Sequence, residues 1–426
     1  MKKFLIIWLG EFISSIGTGM TSFALGVYVF QKYGSAAAVS LVTLLAFLPT
    51  ILLSPVGGVL ADRFDRRLMM MCGDLFSAFG LVFILVNALL GSLELWMICV
   101  GVTISAVFVS LLEPAYKATI TDLLTGDEYA KASGLVQLAS AAKYLISPLL
   151  AGIILGFADI RLILIIDIST ILITVLSVAF VRKSIVEKVV EKAAFHPLKE
   201  LKEGWDVVTK NKGIMELILL MAFVCFNVGF LQTLLSPMIL SFADSKTLGI
   251  IESISAIGML IGSLIIGALS IKKNFVNIMA ISLLINGVFM ALVGSTANAK
   301  VIVVTGILFF ATLPFVNTSA DTLARLNIPN EVQGRAWGVI GVLSQLGYII
   351  AYAISGPLAD NVFCPLLVED GILAESIGKI IGVGKGRGIG LMFILAGIFI
   401  VVISFLLLKN KNIRQMEMRD ESCGGQ

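Results

Sequence analysis

Twelve apolar runs alternate with short polar stretches, at roughly 4–30, 39–60, 68–90, 94–113, 133–157, 161–181, 214–240, 249–271, 275–296, 300–320, 333–358 and 389–408. Each is about 20 residues or longer, enough to cross the hydrocarbon of a bilayer as a helix. In the first run Glu11, Ser14, Ser15, Thr18 and Ser22 follow helical spacing and share one face. Lipid does not tolerate such a face, so it is expected to point into a bundle or a cavity. The pattern predicts an all-α membrane protein with twelve transmembrane helices.

Composition narrows the class further. The chain of 426 residues is 58% hydrophobic and 14% charged, with mean hydropathy +1.01. Soluble domains are about a quarter charged, so this chain cannot bury its apolar surface in water. Five cysteines (Cys72, Cys99, Cys225, Cys364, Cys423) lack metal-ligand spacing and imply no disulfide framework. His196 is the single histidine, which excludes a histidine-cluster metal site. No nucleophile–base pair, cofactor motif or nucleic-acid motif stands out, so the reading is a non-enzyme without cofactor or metal. Met1-Lys2-Lys3 precedes an apolar run too long for a signal peptide, and the run reads as a retained first helix.

Charge sets the orientation. With the N-terminus inside, most of the 31 Lys and Arg residues fall on inner segments, and the opposite topology inverts that bias. The expectation is a multi-pass protein of the cell inner (cytoplasmic) membrane with both termini in the cytoplasm. The chain then divides into a six-helix bundle at 1–181, a charged cytoplasmic loop at 182–213, a second six-helix bundle at 214–408 and a cytoplasmic tail at 409–426. The loop is either a solvated linker or in part a surface amphipathic helix carrying Leu198, Leu201 and Trp205.

The halves look related. Gly58-x-Leu60 recurs as Gly267-x-Leu269, Ser147-Pro148 as Gly356-Pro357, and Pro114 as Pro314. A weak repeat of six helices marks transporters built from two similar halves. Ile271 stands in the second half where the first has Asp62.

Between the second and third runs lies Gly57-Gly58-Val59-Leu60-Ala61-Asp62-Arg63-Phe64-Asp65-Arg66-Arg67. Its pattern Gly58-x-Leu60-Ala61-Asp62-Arg63-x-x-Arg66-Arg67 resembles the loop between helices 2 and 3 of the major facilitator superfamily of transporters. That family usually has glycine at the position of Asp65. The resemblance implies the major facilitator fold, two pseudo-symmetric six-helix bundles, with an inner gate at Gly58, Asp62, Arg63, Arg66 and Arg67. Asp74 is expected to pair with these arginines. Glu113 with Lys117 and Asp321 with Arg325 are expected to form further bridges. The segment Ser147-Pro148-Leu149-Leu150-Ala151-Gly152 is similar to the helix-5 motif of the superfamily's drug/proton antiporters, and Pro148 is expected to kink it. Gly258-x-x-x-Gly262 is a plausible packing partner for Gly152-x-x-x-Gly156. Those antiporters commonly carry an arginine in helix 4, whereas 94–113 here has no basic residue.

Gly34-Ser35-Ala36, Phe47-Leu48-Pro49, Asp62-Arg63-Phe64-Asp65-Arg66, Ile146-Ser147-Pro148 and Gly334-Arg335 resemble the macrolide-efflux type of the superfamily. This implies proton-driven export of amphipathic small molecules across the lipid bilayer by alternating access, with substrate and protons as partners, no nucleic acid, and function as a monomer. Export of a siderophore or other native metabolite is the alternative in the same class. A non-transporting sensor or scaffold would need a signalling domain, and no loop or tail is long enough.

Three ionisable residues within spans are candidates for proton coupling. Glu11 lies about 10 Å from the inner helix end, where a charge costs about 3 kcal/mol unless paired or hydrated. It is either a proton carrier or a structural carboxylate. Lys143 is its possible counter-ion or a contact for an anionic substrate group. Asp167 is open between roles. Ser15, Thr18, Phe223, Phe226, Asn227, Phe230 and Asn317 are candidates for a substrate cavity, with Gln232, Phe309, Phe310 and Phe315 nearby. Phenylalanine facing lipid is the competing reading for each ring. The outer loop 359–388 holds a glycine-rich stretch at 382–388 that does not fit a phosphate loop, and the loop reads as a flexible outer lid.

Overall fold

The computed structural model describes residues 1–124, 128–183, 197–269, 273–329 and 332–423. The side chains of Asp62, Thr121, Tyr129, Ala130, Lys183, residues 197–203, Lys385 and residues 418–423 are outside the description. His196 and Ile271 also lie outside the described residues. Among the described residues there is no strand. The helices are α1 Lys2–Tyr33, α2 Ala36–Arg63, α3 Arg66–Leu89, α4 Leu95–Leu123, α5 Tyr129–Leu145, α6 Ser147–Leu155, α7 Ile160–Lys183, α8 Pro197–Lys210 and α9 Lys212–Leu240. They continue as α10 Ser245–Leu269, α11 Phe275–Ser295, α12 Ala299–Asn327, α13 Gln333–Leu358, α14 Cys364–Leu366, α15 Gly378–Ile381, α16 Lys385–Lys409 and α17 Lys411–Cys423. Among the described residues twelve spans are long and apolar enough to cross a membrane, as the hydropathy pattern predicts. Spans of this kind must satisfy their backbone internally. Their hydroxyls bond back to carbonyls one turn earlier, as Thr43 does to Val39 and Thr103 to Cys99.

The helix ends follow from local chemistry. Gly34 ends α1 in the left-handed region at φ 59, where its N–H bonds the Phe30 carbonyl. Ser35 then caps α2, accepting from the Ala38 N–H. Asn211 and Asn298 cap α9 and α12 in the same way. The α5–α6 break falls at Ile146, just before Pro148, where the sequence places a kink. Pro148 has no N–H for the Tyr144 carbonyl.

The chain separates into two compact units. Unit 1 holds Met1–Ala193 and Ala243–Ser253; unit 2 holds Ala194–Phe242 and Ile254–Gln426. Within unit 1, a Cβ on Gly80 would strike the Gly101 carbonyl, which shows how closely α3 and α4 cross. Gly57 approaches Ser110 and Pro114 of α4, whereas Gly58 faces open space. In unit 2, Gly287 meets Gly397, and Gly262 approaches Ala311 and Pro314. The glycines resting on Pro114 and Pro314 are therefore Gly57 and Gly262, while both members of the Gly58/Gly267 pair face open space. Gly258 packs on Ile307 and Ala311 of α12. It is not the partner of Gly152: Gly152 lies against Ser245 and Gly249, and Gly249 against the Pro148 carbonyl, all within unit 1.

One segment is more ordered than the sequence suggests. The stretch expected to be a flexible lid carries a π-helical turn at Ala359–Phe363 and the short α14 and α15. It has its own apolar cluster of Leu367, Ile381 and Leu391. Arg387 is buried and donates to the Ile381 and Thr296 carbonyls. Buried donors satisfied by backbone carbonyls fix a loop rather than free it. The C-terminal stretch is helical from Lys411 and packs within unit 2 on α9, α11 and α12. Of the charged loop, α8 is helical, with Val208 buried and Trp205 exposed.

Replacing Gly258 by leucine is expected to lower the melting temperature of the detergent-purified protein by several degrees, since over-packing costs about 1–3 kcal/mol. Gly267→Leu, with nothing within 4 Å of its Cβ position, is expected to leave it unchanged. A thermal melt of both variants beside the parent checks this.

Candidate functional site

The charged turn of unit 1 is built on Asp65, the residue that departs from the family pattern. Its carboxylate accepts the Arg67 N–H at 3.0 Å and so caps α3. Its other oxygen accepts Nε of Arg182, at the end of α7, at 2.7 Å. Burial pushes the Asp65 carboxyl upward, but the Arg182 side chain and the Arg67 N–H outweigh it and hold the pKa below the usual carboxylate value. Arg66 bonds the Ala61 carbonyl at 3.1 Å, the Ala118 carbonyl at 3.2 Å and Asp122 Oδ1 at 2.8 Å. One guanidinium thus joins α2, α3 and α4. Arg63 is exposed, and the Asp62 side chain lies outside the described residues. Arg67 is buried, its Nε without a partner. Sequence reasoning missed Asp122 and Arg182 as the partners that count. Arg182 stands at the first position of the charged loop, which was its only signal.

Asp74 does not join these arginines. It lies two helical turns further along α3, and the carboxylates whose charges bear on it are Glu11 and Asp167. Its Oδ2 is buried without a hydrogen-bond partner, as are Glu11 Oε1 and Asp167 Oδ2. Asp167 is fully buried. Thr18 donates to Asp167 at 3.4 Å, and the Lys143 charge also reaches it. Lys143 itself is half-buried. Tyr116 of α4, which the sequence did not single out, feels Glu11, and its hydroxyl is also unpartnered. Four helices, α1, α3, α4 and α7, therefore converge on a buried set of acidic and phenolic oxygens. Gly17 makes this possible: a Cβ there would lie 2.9 Å from Asp167 Oδ1. Ser15 faces α5 rather than open space, donating to the Phe12 carbonyl at 2.8 Å and the Ala139 carbonyl at 3.4 Å. Ser147 at the kink is buried and donates to the Ile16 carbonyl at 3.0 Å. Of the polar face of α1, Ser22 is exposed.

In unit 2 the aromatic residues separate. Phe226 stacks on Phe230 at 5.8 Å, and Phe230 meets Phe393 edge-on at 6.0 Å. Phe230 is buried, so it belongs to the helix-packing core rather than to an open wall. Phe223 packs edge-on against Phe399, and Phe309 is buried against Phe310. Asn227 returns its amide to the Phe223 carbonyl, and Gln232 accepts from Tyr352. Asn317 is exposed. Phe223 and Asn227 line a cavity of about 10 Å³ with Val224, Val228, Leu283, Asn286, Leu313 and Ile400. That is room for about one water. Asn286 bonds the Phe309 carbonyl and Thr312. Of the other expected bridges, Glu113–Lys117 forms at 2.7 Å. Arg325 instead lies over the Trp337 ring at 5.2 Å.

Residues 7–352 match the family model described as Major Facilitator Superfamily. The chain is 26% identical over 422 residues to macrolide efflux protein A of Streptococcus pyogenes, covering 98% of both. It is 27% identical to macrolide efflux protein A of Enterococcus faecalis over 74% of this chain and 98% of that one. Among solved structures it resembles the nucleoside transporter NupG, with TM-score 0.74 and 15% identity, covering 96% of this chain and 100% of the other.

The Asp65–Arg182 pair gives a pH signature. A carboxylate whose folded pKa is depressed stabilises above the unfolded value, about 3.9, and loses that contribution as pH falls towards the folded value. Asp65→Asn keeps a capping side chain and removes the ion pair, so it is expected to cost about 1 kcal/mol at pH 7. The difference should shrink below about pH 4. Asp65→Ala also removes the cap and is expected to cost about 1 kcal/mol more. Melting curves at several pH values check both.

Proposed function

We propose that this chain, which belongs to the Major Facilitator Superfamily, is a proton-coupled secondary exporter of amphipathic, macrolide-like compounds working by alternating access. The observation that carries the coupling is the buried set Glu11, Asp74 and Asp167, with an unpartnered oxygen on each. Three carboxylates at membrane depth repel one another and lose hydration, and a bound proton relieves both penalties. Lys143 offsets part of the charge on Asp167. Substrate or pH that alters the balance among these groups alters the packing of α1, α3 and α7, which is how a proton can drive a conformational change.

The substrate class rests on the likeness to the two macrolide efflux proteins over nearly their whole length. The charged turn serves as an inner gate: Arg66 with Asp122, and Asp65 with Arg182, hold the ends of α2, α3, α4 and α7 together. The basic residues on the corresponding loops support placement in the cytoplasmic membrane with both termini inside.

Inverted vesicles carrying the protein are expected to accumulate a macrolide or an amphipathic dye when their lumen is acidified. Glu11→Gln and Asp167→Asn should each lower pH-gradient-driven uptake by tenfold or more while leaving the protein folded. Full gradient dependence in both variants would exclude these carboxylates as the coupling groups. No gradient-driven uptake of any compound by the parent would exclude proton coupling.

A further inference from the structure

The C-terminal helix α17 is fastened to unit 2 at several points. Helix α11 needs help at its start: its N-cap, Asn274, sits in the left-handed region at φ 64 and makes no side-chain cap bond. The Phe275 N–H instead donates to Glu417 Oε1 at 2.6 Å, from α17. A carboxylate at that end also complements the helix dipole. On α9, Glu216 accepts Nδ2 of Asn410 at 2.7 Å and of Asn412 at 2.5 Å. Asn410 in turn caps α17, accepting the Ile413 N–H at 3.0 Å. Asn327, the last residue of α12, donates to the Met416 carbonyl at 3.1 Å. Arg414 reaches Asn277 of α11 at 3.4 Å.

The apolar side of α17 completes the fit. Ile413 and Met416 are buried. A Cβ on Gly213 would lie 2.6 Å from Met416 Sδ and 3.0 Å from the Asn412 carbonyl oxygen, so the helix packs closely on the start of α9. The helices reached, α9, α11 and α12, are also the ones that supply Phe223, Asn227, Asn286 and Leu313 to the cavity of unit 2.

We propose that α17 is a strap that supplies, from the far end of the chain, the cap α11 lacks, through Glu417, and holds the adjoining ends of α9, α11 and α12 in fixed spacing. The carboxylates of Glu417 and Glu216 are its two fasteners. Gln415, on its exposed side, takes no part.

Limited trypsin digestion of the purified full-length protein, read by mass spectrometry as release of the segment after Arg414, tests this. The parent is expected to be cut far more slowly than a free peptide of residues 410–426. Glu417→Gln and Glu216→Gln should each speed cleavage about tenfold, the size of one charge-assisted hydrogen bond. Gln415→Ala should leave it unchanged. Should the parent be cut as fast as the peptide, or both fastener variants as slowly as the parent, the strap does not exist. Since either fastener variant alone could fail to fold, the parent–peptide comparison and the other variant still decide.

Discussion

Lipid offers helices no hydrophobic reason to associate, so the packing of this protein depends on how near their backbones can come. Small residues set that distance. Gly80 against Gly101, Gly287 against Gly397, and Gly258 against Ile307 are contacts in which a single added methyl would collide with backbone. Gly17 belongs to the same group, but what it admits is a side chain: Asp167. The constraint that packs the bundle thus also brings α1 close enough for Thr18 to reach a carboxylate of α7. Packing and the candidate coupling site rest on the same steric allowance.

The architecture was legible in the sequence because lipid punishes irregular backbone, which leaves long apolar runs as the only readable solution. The break before Pro148 was legible for an equally local reason, the missing N–H. Asp74 was not. Linear proximity to three arginines suggested a partner, but two turns of helix carry a side chain about 10 Å along the axis, into the reach of Glu11 and Asp167. The partners of Asp65 and Arg66 come from α7 and α4, far away in sequence, and hydropathy carries no record of them. The rings of unit 2 were visible as a helical series, but spacing alone cannot say which side of a helix faces its neighbours, and Phe230 proved to be interior.

Asp65 illustrates how a departure from a family pattern is absorbed. Glycine in that turn contributes backbone freedom. Aspartate contributes an N-cap to α3 and an anion for Arg182. The turn is held by side-chain chemistry where a glycine would leave it to the backbone. It also ties the last residues of α7, and so the start of the charged loop, to the beginning of α3.

The interruption at Ile146 has a mechanical side. Along an intact helix, bending strains every rung of the hydrogen-bond ladder. Here one rung is missing at Pro148, so compliance concentrates at a single joint. Just beyond that joint, the Ser147 hydroxyl is anchored on the Ile16 carbonyl, which leaves the Lys143 side of α5 and the Gly152 side of α6 to pivot as two levers about a pin set in α1.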